Sequence, residues 1–191
     1  TDHHTRGFLI ADGELGGEHV AVIVNHWPSR GAAEDYREHA GRQVKALKDS
    51  LQNIDKNVKL IIMGDMNDDP MNKSMAEALG AKQEMKDTGK FDLYNPWWNT
   101  LLGGDGTLKY RGKWNLFDQI VMTPNMLCPK GSKDYATLKF FQNQIHIRPY
   151  LTGTINKGIH GHAGGLRCGI GPSMELHLSG LLYRPDGLRI F

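Results

Sequence analysis

Val58-Lys59-Leu60-Ile61-Ile62-Met63-Gly64-Asp65-Met66-Asn67-Asp68-Asp69-Pro70 is the stretch on which the fold turns. Its apolar first half reads as a buried strand, which Gly64 ends at a run of acidic and amide residues closed by Pro70. Just upstream, Ala33 to Leu51 carries Tyr36, Ala40, Val44, Leu47 and Leu51 at steps of three and four with charges between them, an amphipathic helix whose apolar stripe needs a sheet to cover. Before that helix, His19 to Asn25 reads as a β-branched strand. The apolar Phe8 to Ile10 and the turn formers of Ala11 to Gly17 make it one arm of a hairpin.

Downstream, the pattern predicts a shorter helix over Met71 to Leu79 and an aromatic loop over Asp92 to Gly106 holding Tyr94, Trp97 and Trp98. Thr107 to Tyr110 and Phe117 to Met122 read as two strands of a meander. Helices alternating early with strands, then strands dominating, predict a mixed α/β layered fold. After Thr152 the chain is glycine-rich and has little periodicity of either kind.

With 191 residues the chain can bury one sizeable core. A formal net charge of +2 gives no strong overall field for nucleic acid or an anionic membrane, so any polyanion recognition must come from local clusters. Cys128 and Cys168 match no metal-ligand or redox spacing, and nothing in the sequence assigns a compartment. No apolar run approaches the roughly 18 to 20 residues of a membrane span. The first residue is Thr1, which fits a processed product and a truncated one equally well.

Three segments hold residues able to do chemistry. Asn25-His26-Trp27-Pro28-Ser29-Arg30 follows a strand, where α/β folds present reactive groups. A histidine there can exchange a proton with a phosphoryl oxygen and an arginine can bind the same anion, although a lone histidine in a turn is also commonly just solvated. In Gly64-Asp65-Met66-Asn67-Asp68-Asp69, alternation puts Asp65 and Asn67 on one side if the extended conformation persists. A carboxylate there can orient water or ligate a hard cation, and the amide can hold a phosphate oxygen. Asp68 and Asp69 fit the cap of a following helix as well as they fit chemistry. In Lys109-Tyr110-Arg111-Gly112-Lys113-Trp114-Asn115-Leu116-Phe117-Asp118-Gln119-Ile120, basic and aromatic residues interleave, a pattern suited to gripping and stacking a phosphate-bearing ligand. Asp118 is a lone acid in an apolar strand, more often outward-facing than catalytic. Trp97, Trp98 and Trp114 can line a cleft, although aromatics in such loops more often pack against their own domain.

Taken in this order, N-H-W-x-S-R, G-D-x-N and W-x-x-x-D-Q-I resemble the endonuclease/exonuclease/phosphatase family across residues 5 to 165. The resemblance implies a four-layered α/β sandwich of the deoxyribonuclease-like type, of which this chain would be about half. It implies metal-dependent hydrolysis of a phosphodiester or phosphomonoester by activated water. His26 would stabilise the phosphoryl transition state, Asp65 would orient or activate the water, Asn67 would position the phosphate, and Asp118 would orient a second histidine. Asn25, Ser29, Arg30 and Trp114 would contact substrate, and Asp65 with Asn67 would hold a divalent cation, Mg²⁺ or alternatively Mn²⁺. The substrate would be a phosphate ester of nucleic acid, a lipid head group or an inositol phosphate, and no obligate protein partner is evident.

Two departures accompany the resemblance. The family's N-terminal asparagine and metal-binding glutamate have no counterpart before Thr1, and its closing S-D-H triplet does not occur. Residues 1–165 are therefore expected to be a partial domain and residues 166–191 a divergent tail, from a frame change in the encoding DNA or a chimeric gene end. Activity is expected to be impaired, with a non-catalytic fragment that keeps a phosphate-binding loop as the alternative. His160 and His162, two apart, are not assigned the missing histidine's role.

Overall fold

The computed structural model describes residues 6–128 and 136–145, together with the backbone of two short strands, Leu182–Tyr183 and Arg189–Ile190, which pair antiparallel with each other. The expected tail and the His160/His162 pair otherwise lie outside the described residues.

The hairpin forms from β1 (Leu9–Leu15) and β2 (Glu18–His26). The sequence spread the turn over Ala11 to Gly17, but the structure confines it to Gly16 and Gly17, both at positive φ. Among the described residues β1 is an exposed edge strand paired with β2 alone; it needs no apolar alternation, and that pairing keeps its polar residues extended. From β2 the chain crosses through α1 (Glu34–Ile54) into β3 (Lys59–Asp65), which lies parallel to β2. The short strands β4 (Ala81–Lys82) and β5 (Leu93–Tyr94) and the later β8 (Asp118–Met122) complete a six-stranded sheet in the order β1-β2-β3-β8-β5-β4. Between them, β6 (Leu108–Tyr110) and β7 (Lys113–Asn115) form a separate hairpin. The expected meander is thus corrected: β8 is flanked by β3 and β5, and among the described residues β6 pairs only with β7. Lys109, Arg111 and Lys113 could not enter the sheet interior without leaving buried charge.

The two faces of the sheet diverge because side chains alternate along each strand. One face carries Ile23, Ile62 and Val121 against Ala40 and Val44 of α1 and against Met75 and Leu79. Full burial of each larger aliphatic contributes about 1.5–3 kcal/mol. Gly41 lets α1 approach closely, since a Cβ there would meet the Ser74 carbonyl at 2.5 Å. The helix buries more than its apolar stripe. Lys48 lies inside with Nζ donating to Gln52 Oε1 at 2.8 Å and to the Phe91 carbonyl at 2.7 Å, and Arg37 is buried beside Asp68.

The opposite face carries Val20, Val22, Ile61, Met63, Ile120 and Met122, covered by Met126, Leu127, Leu138 and Phe140. This cover is fastened where Lys59 Nζ donates to the Leu138 carbonyl (2.9 Å) and Glu18 Oε1 accepts the Leu138 N–H (2.6 Å), with Lys59 and Glu18 also paired.

Two local expectations need revision. The helix predicted over Met71 to Leu79 is shorter and wound as a π-helix, Ser74–Leu79, because Asn72 and Asp69 first close a turn through Asn72 Oδ1 and the Asp69 N–H (2.7 Å). The aromatic loop contains a six-residue helix α2 (Trp97–Leu102), started by Asn95 Oδ1 accepting the Trp97 N–H at 3.0 Å. Trp97 is core, with Nε1 donating to the Ile120 carbonyl at 3.0 Å.

Candidate active site

Strand register brings the distant motifs together. His26 ends β2 opposite Asp65 of β3, and Asp65 stands opposite Asp118 of β8. Directly opposed residues project from the same face, so the three form a row at the end of the apolar stripe Val20-Val22-Val24, Ile61-Met63 and Ile120-Met122. His26 Nε2 lies 3.7 Å from Asp65 Oδ2, and both side chains are partly open to solvent. Asp118 is buried, which corrects the expectation that a lone acid in this strand faces outward. Burial, reinforced by the Asp65 carboxylate and opposed by a hydrogen bond from the Thr107 hydroxyl, pushes its carboxyl up to about 6.

The chain leaves the strand at Asp65 in a turn specified by its own side chains. Met66 donates its N–H to the Phe117 carbonyl at 2.8 Å. The Asn67 N–H donates to Asp65 Oδ1 at 2.9 Å, and Asn67 sits at φ 51°. Asparagine tolerates that left-handed backbone better than most residues. Asp65 and Asn67 are therefore neighbours through a local Asx-type turn, and not through the strand alternation expected from the sequence. The Asn67 amide donates to the Trp27 carbonyl at 2.9 Å, tying this turn to the loop after β2. Gly64 precedes it at φ 136°, where the backbone of Asn25 leaves no room for a Cβ.

Arg30 is turned into this framework. Its Nε donates to the Asn67 carbonyl (3.1 Å) and faces Asp68 (3.3 Å), Nη1 donates to Asn115 Oδ1 (3.0 Å), and Nη2 donates to Asp69 Oδ2 (3.0 Å) and Asn72 Oδ1 (3.1 Å). Its guanidinium carbon also lies 4.3 Å from the Phe117 ring centre. Asp68 is deeper. It accepts from Ser74 Oγ at 2.6 Å and lies 2.9 Å from Arg37 Nε as an ion pair. Asp69 Oδ1 accepts the Leu116 N–H at 2.7 Å. Asn25 is buried on the helix-bearing face, where its amide holds the Ile23 and Met63 carbonyls and accepts from Trp27 Nε1. Ser29 is exposed, and its carbonyl accepts from Ala32 and Arg37. Trp114 is half-buried on the β6–β7 hairpin beneath Lys109 Nζ, 5.2 Å from the ring centre.

Sequence reasoning passed over Thr107 and Gln119. Thr107 Oγ1 accepts the N–H groups of Phe117 (3.2 Å) and Asp118 (3.3 Å) and so holds the start of β8. Gln119 is wholly buried, donating to the Asp68 and Leu116 carbonyls and accepting from Asn95. Its place inside the D-Q-I motif was the available signal.

Among the described residues, no three His, Cys, Asp or Glu side chains converge to cage a metal ion. The donor set still fits a cation that keeps water ligands and needs only one or two protein oxygens, as Mg²⁺ does. Asp65 Oδ2 is a hard oxygen at the row, and Asn67 retains its amide oxygen because its nitrogen is committed to Trp27. No helix among the described residues is long and apolar enough to cross a membrane.

Among solved structures, the chain is similar to sphingomyelinase C from Streptomyces griseocarneus (20% identity, TM-score 0.41, covering 65% of this chain and 44% of that one). It is also similar to a double mutant of beta toxin from Staphylococcus aureus with bound magnesium ions (20%, 0.42, 64% and 44%). A third is the human Nocturnin catalytic domain with bound sulfate (20%, 0.39, 60% and 39%). The chain thus spans less than half the length of each of these three proteins. No curated protein sequence matches it. The sequence profile of the Endonuclease/Exonuclease/phosphatase family matches residues 1–162, most of the chain, and the protein belongs to that family.

Proposed function

We propose that the strand-end row His26, Asp65 and Asp118 is the centre of a metal-dependent phosphoesterase, in which water attacks phosphorus, the P–O ester bond breaks and the alcohol leaves. The observation that carries this reading is the register that aligns one histidine and two carboxylates on adjacent strands. His26, partly exposed, donates a hydrogen bond to a phosphoryl oxygen and stabilises charge as it grows there. Asp65 orients the attacking water and accepts its proton, and Asn67 positions the phosphate. Asp65 Oδ2 and the Asn67 amide oxygen are the atoms that would hold a divalent cation, Mg²⁺ or Mn²⁺. When bound, the ion would neutralise charge on the phosphoryl group and the leaving oxygen.

Asp118 keeps the role of orienting a second histidine. No histidine among the described residues is paired with it, and His146, His160, His162 and His177 fall outside them. Arg30 acts as a positioning residue: its nitrogens bind the loop that carries Asn67. Ser29 and Trp114 remain substrate contacts in this reading, whereas Asn25 supports the turn between β2 and the His26 loop.

A second reading, phosphate binding without catalysis, is favoured by the absence of a three-ligand acidic or histidine cluster among the described residues. Turnover of a small phosphodiester, bis(p-nitrophenyl) phosphate, with Mg²⁺ separates the two. The proposal expects a rate that EDTA abolishes and that His26→Ala lowers by about 100-fold or more. A wild-type rate no higher than that of His26→Ala leaves the non-catalytic reading standing.

A further inference from the structure

The cations of the β6–β7 hairpin have no part in the row it adjoins. From Gly106 to Phe117 it carries Lys109, Arg111 and Lys113 and no acid. Among the described residues these three cations have no carboxylate partner. Two of them lie against rings instead: Lys109 Nζ is 5.2 Å from the Trp114 centre and Arg111 Cζ is 5.2 Å from that of Tyr110. Tyr110 is 59% exposed, so much of its ring is open to a ligand.

The turn itself is costly. Arg111 (φ 49°) and Gly112 (φ 82°) form a tip of the type I′ kind, where Asn, Asp or Gly usually takes the first position. A side chain as long as arginine in the left-handed region costs about 1–2 kcal/mol. Among the described residues no carboxylate pairs with a cation there.

Register links the hairpin to the row. Lys109 and Trp114 are cross-strand partners, and Thr107, two residues before Lys109, holds the Asp118 N–H. Strand alternation puts Thr107, Lys109 and Trp114 on one side, and Lys109 lies about 7 Å along the strand from Thr107. The Tyr110/Lys113 pair occupies the other side, and the Arg111 tip lies beyond both pairs.

We propose that this hairpin grips the phosphates and bases of a single-stranded nucleic acid running away from the His26–Asp65–Asp118 row. The proposal rests on the phosphoesterase reading for its substrate and deepens it by naming the substrate class. Cations alternating with aromatic side chains, of which Tyr110 is exposed, match a polyanion whose bases are unstacked, and stacking on an aromatic ring tolerates any base. A duplex hides those base faces. A bilayer-inserting hairpin needs an apolar tip, whereas this one ends in Arg111-Gly112-Lys113.

The test is fluorescence anisotropy of a labelled twelve-residue oligothymidylate in EDTA, across 50 to 200 mM salt, with phosphatidylserine vesicles in parallel. Binding is expected for the oligonucleotide. Lys109→Gln/Arg111→Gln/Lys113→Gln should weaken it by about tenfold or more and reduce the log–log salt slope by about 2, the share of three phosphate contacts on a single strand. Arg111→Gly relieves the turn, keeps the fold, and should reduce the slope by about 0.7. Tyr110→Ala should weaken binding by about tenfold. Unchanged affinity and slope in the triple variant and in Arg111→Gly, or vesicle binding without oligonucleotide binding, overturns the proposal. Because no turnover is involved, binding by an inactive chain counts against the phosphoesterase reading alone, and hydrolysis with a slope indifferent to the hairpin counts against the grip alone.

Discussion

Replacing Asp118 by Asn should make the fold's stability less dependent on pH, and the size of the effect follows from the site. Burial and the opposed Asp65 carboxylate raise the Asp118 carboxyl from its ordinary 3.8 to about 6. A raised acid binds its proton more tightly when folded than when unfolded, so its contribution is most favourable below about 4 and declines as pH rises through about 6. At about 1.4 kcal/mol per tenfold change in proton affinity, ionising it in the folded protein costs about 2–3 kcal/mol. Asparagine removes that cost but also alters the contact with Thr107, an effect common to both ends of the pH range. The comparison is therefore a double difference. Urea unfolding in EDTA at pH 4 and pH 7.5 should show Asp118→Asn gaining about 2–3 kcal/mol relative to wild type between the two pH values. A gap between the two proteins that stays constant with pH would refute the argument that Asp118 is a buried carboxyl facing a like charge.

Other perturbations probe the frame around the row. Arg37→Met should cost about 3 kcal/mol in urea unfolding, because it strips the buried Asp68 of a cation 2.9 Å away while Arg30 reaches it only from the surface side; a change below about 1 kcal/mol would show that Arg30 suffices. Gly64→Ala should cost at least about 2 kcal/mol, since it combines φ 136° with a collision against the Asn25 backbone, and a near-neutral melting shift would contradict the close approach of β2 and β3. His19 donates to both Asp55 (2.8 Å) and Asp12 (2.7 Å), which needs both ring nitrogens protonated, and its pKa is raised above 6.5 by the Asp55 contact first and the Asp12 contact second. That raised group stabilises the folded state fully below pH 6.5 and loses its contribution as pH rises through the higher folded value. Hydrogen exchange in β1 should accordingly speed up, beyond the intrinsic pH trend, in wild type but not in His19→Ala, and an NMR titration of His19 at or below 6.5 would count against it.

The sheet that carries the site was legible in the sequence because its strands are bounded by strong signals: the V-K-L-I-I-M run closed by Gly64, and the β-branched run before His26. The order of His26, Asp65 and Asp118 was legible too. Their convergence was not, since register is a property of paired strands. Pairing partners also escaped local patterning, so β6 and β8 read as neighbours although β8 lies between β3 and β5. Arg30 shows a different limit. An arginine after a histidine in a strand-end loop suggests an anion site, but the acceptors that occupy it come from Asn67 to Asn72 and from Asn115, distant in sequence. The charges between the apolar positions of α1 likewise read as its solvated side, yet Arg37 and Lys48 are buried, where Asp68 and the Phe91 carbonyl, distant in sequence, supply partners. Asn67 was singled out for chemistry, and its left-handed backbone gives a second, conformational reason for an asparagine there.

The most direct test of the central claim, that the row is a metal-dependent phosphoesterase site, is a Mg²⁺ titration of phosphodiester hydrolysis by the chain and by Asp65→Asn. A saturable Mg²⁺ dependence in the wild type, with the Asp65→Asn rate reduced by about 100-fold or more, is the predicted result. Hydrolysis that Asp65→Asn leaves intact, or that needs no divalent cation, would contradict it.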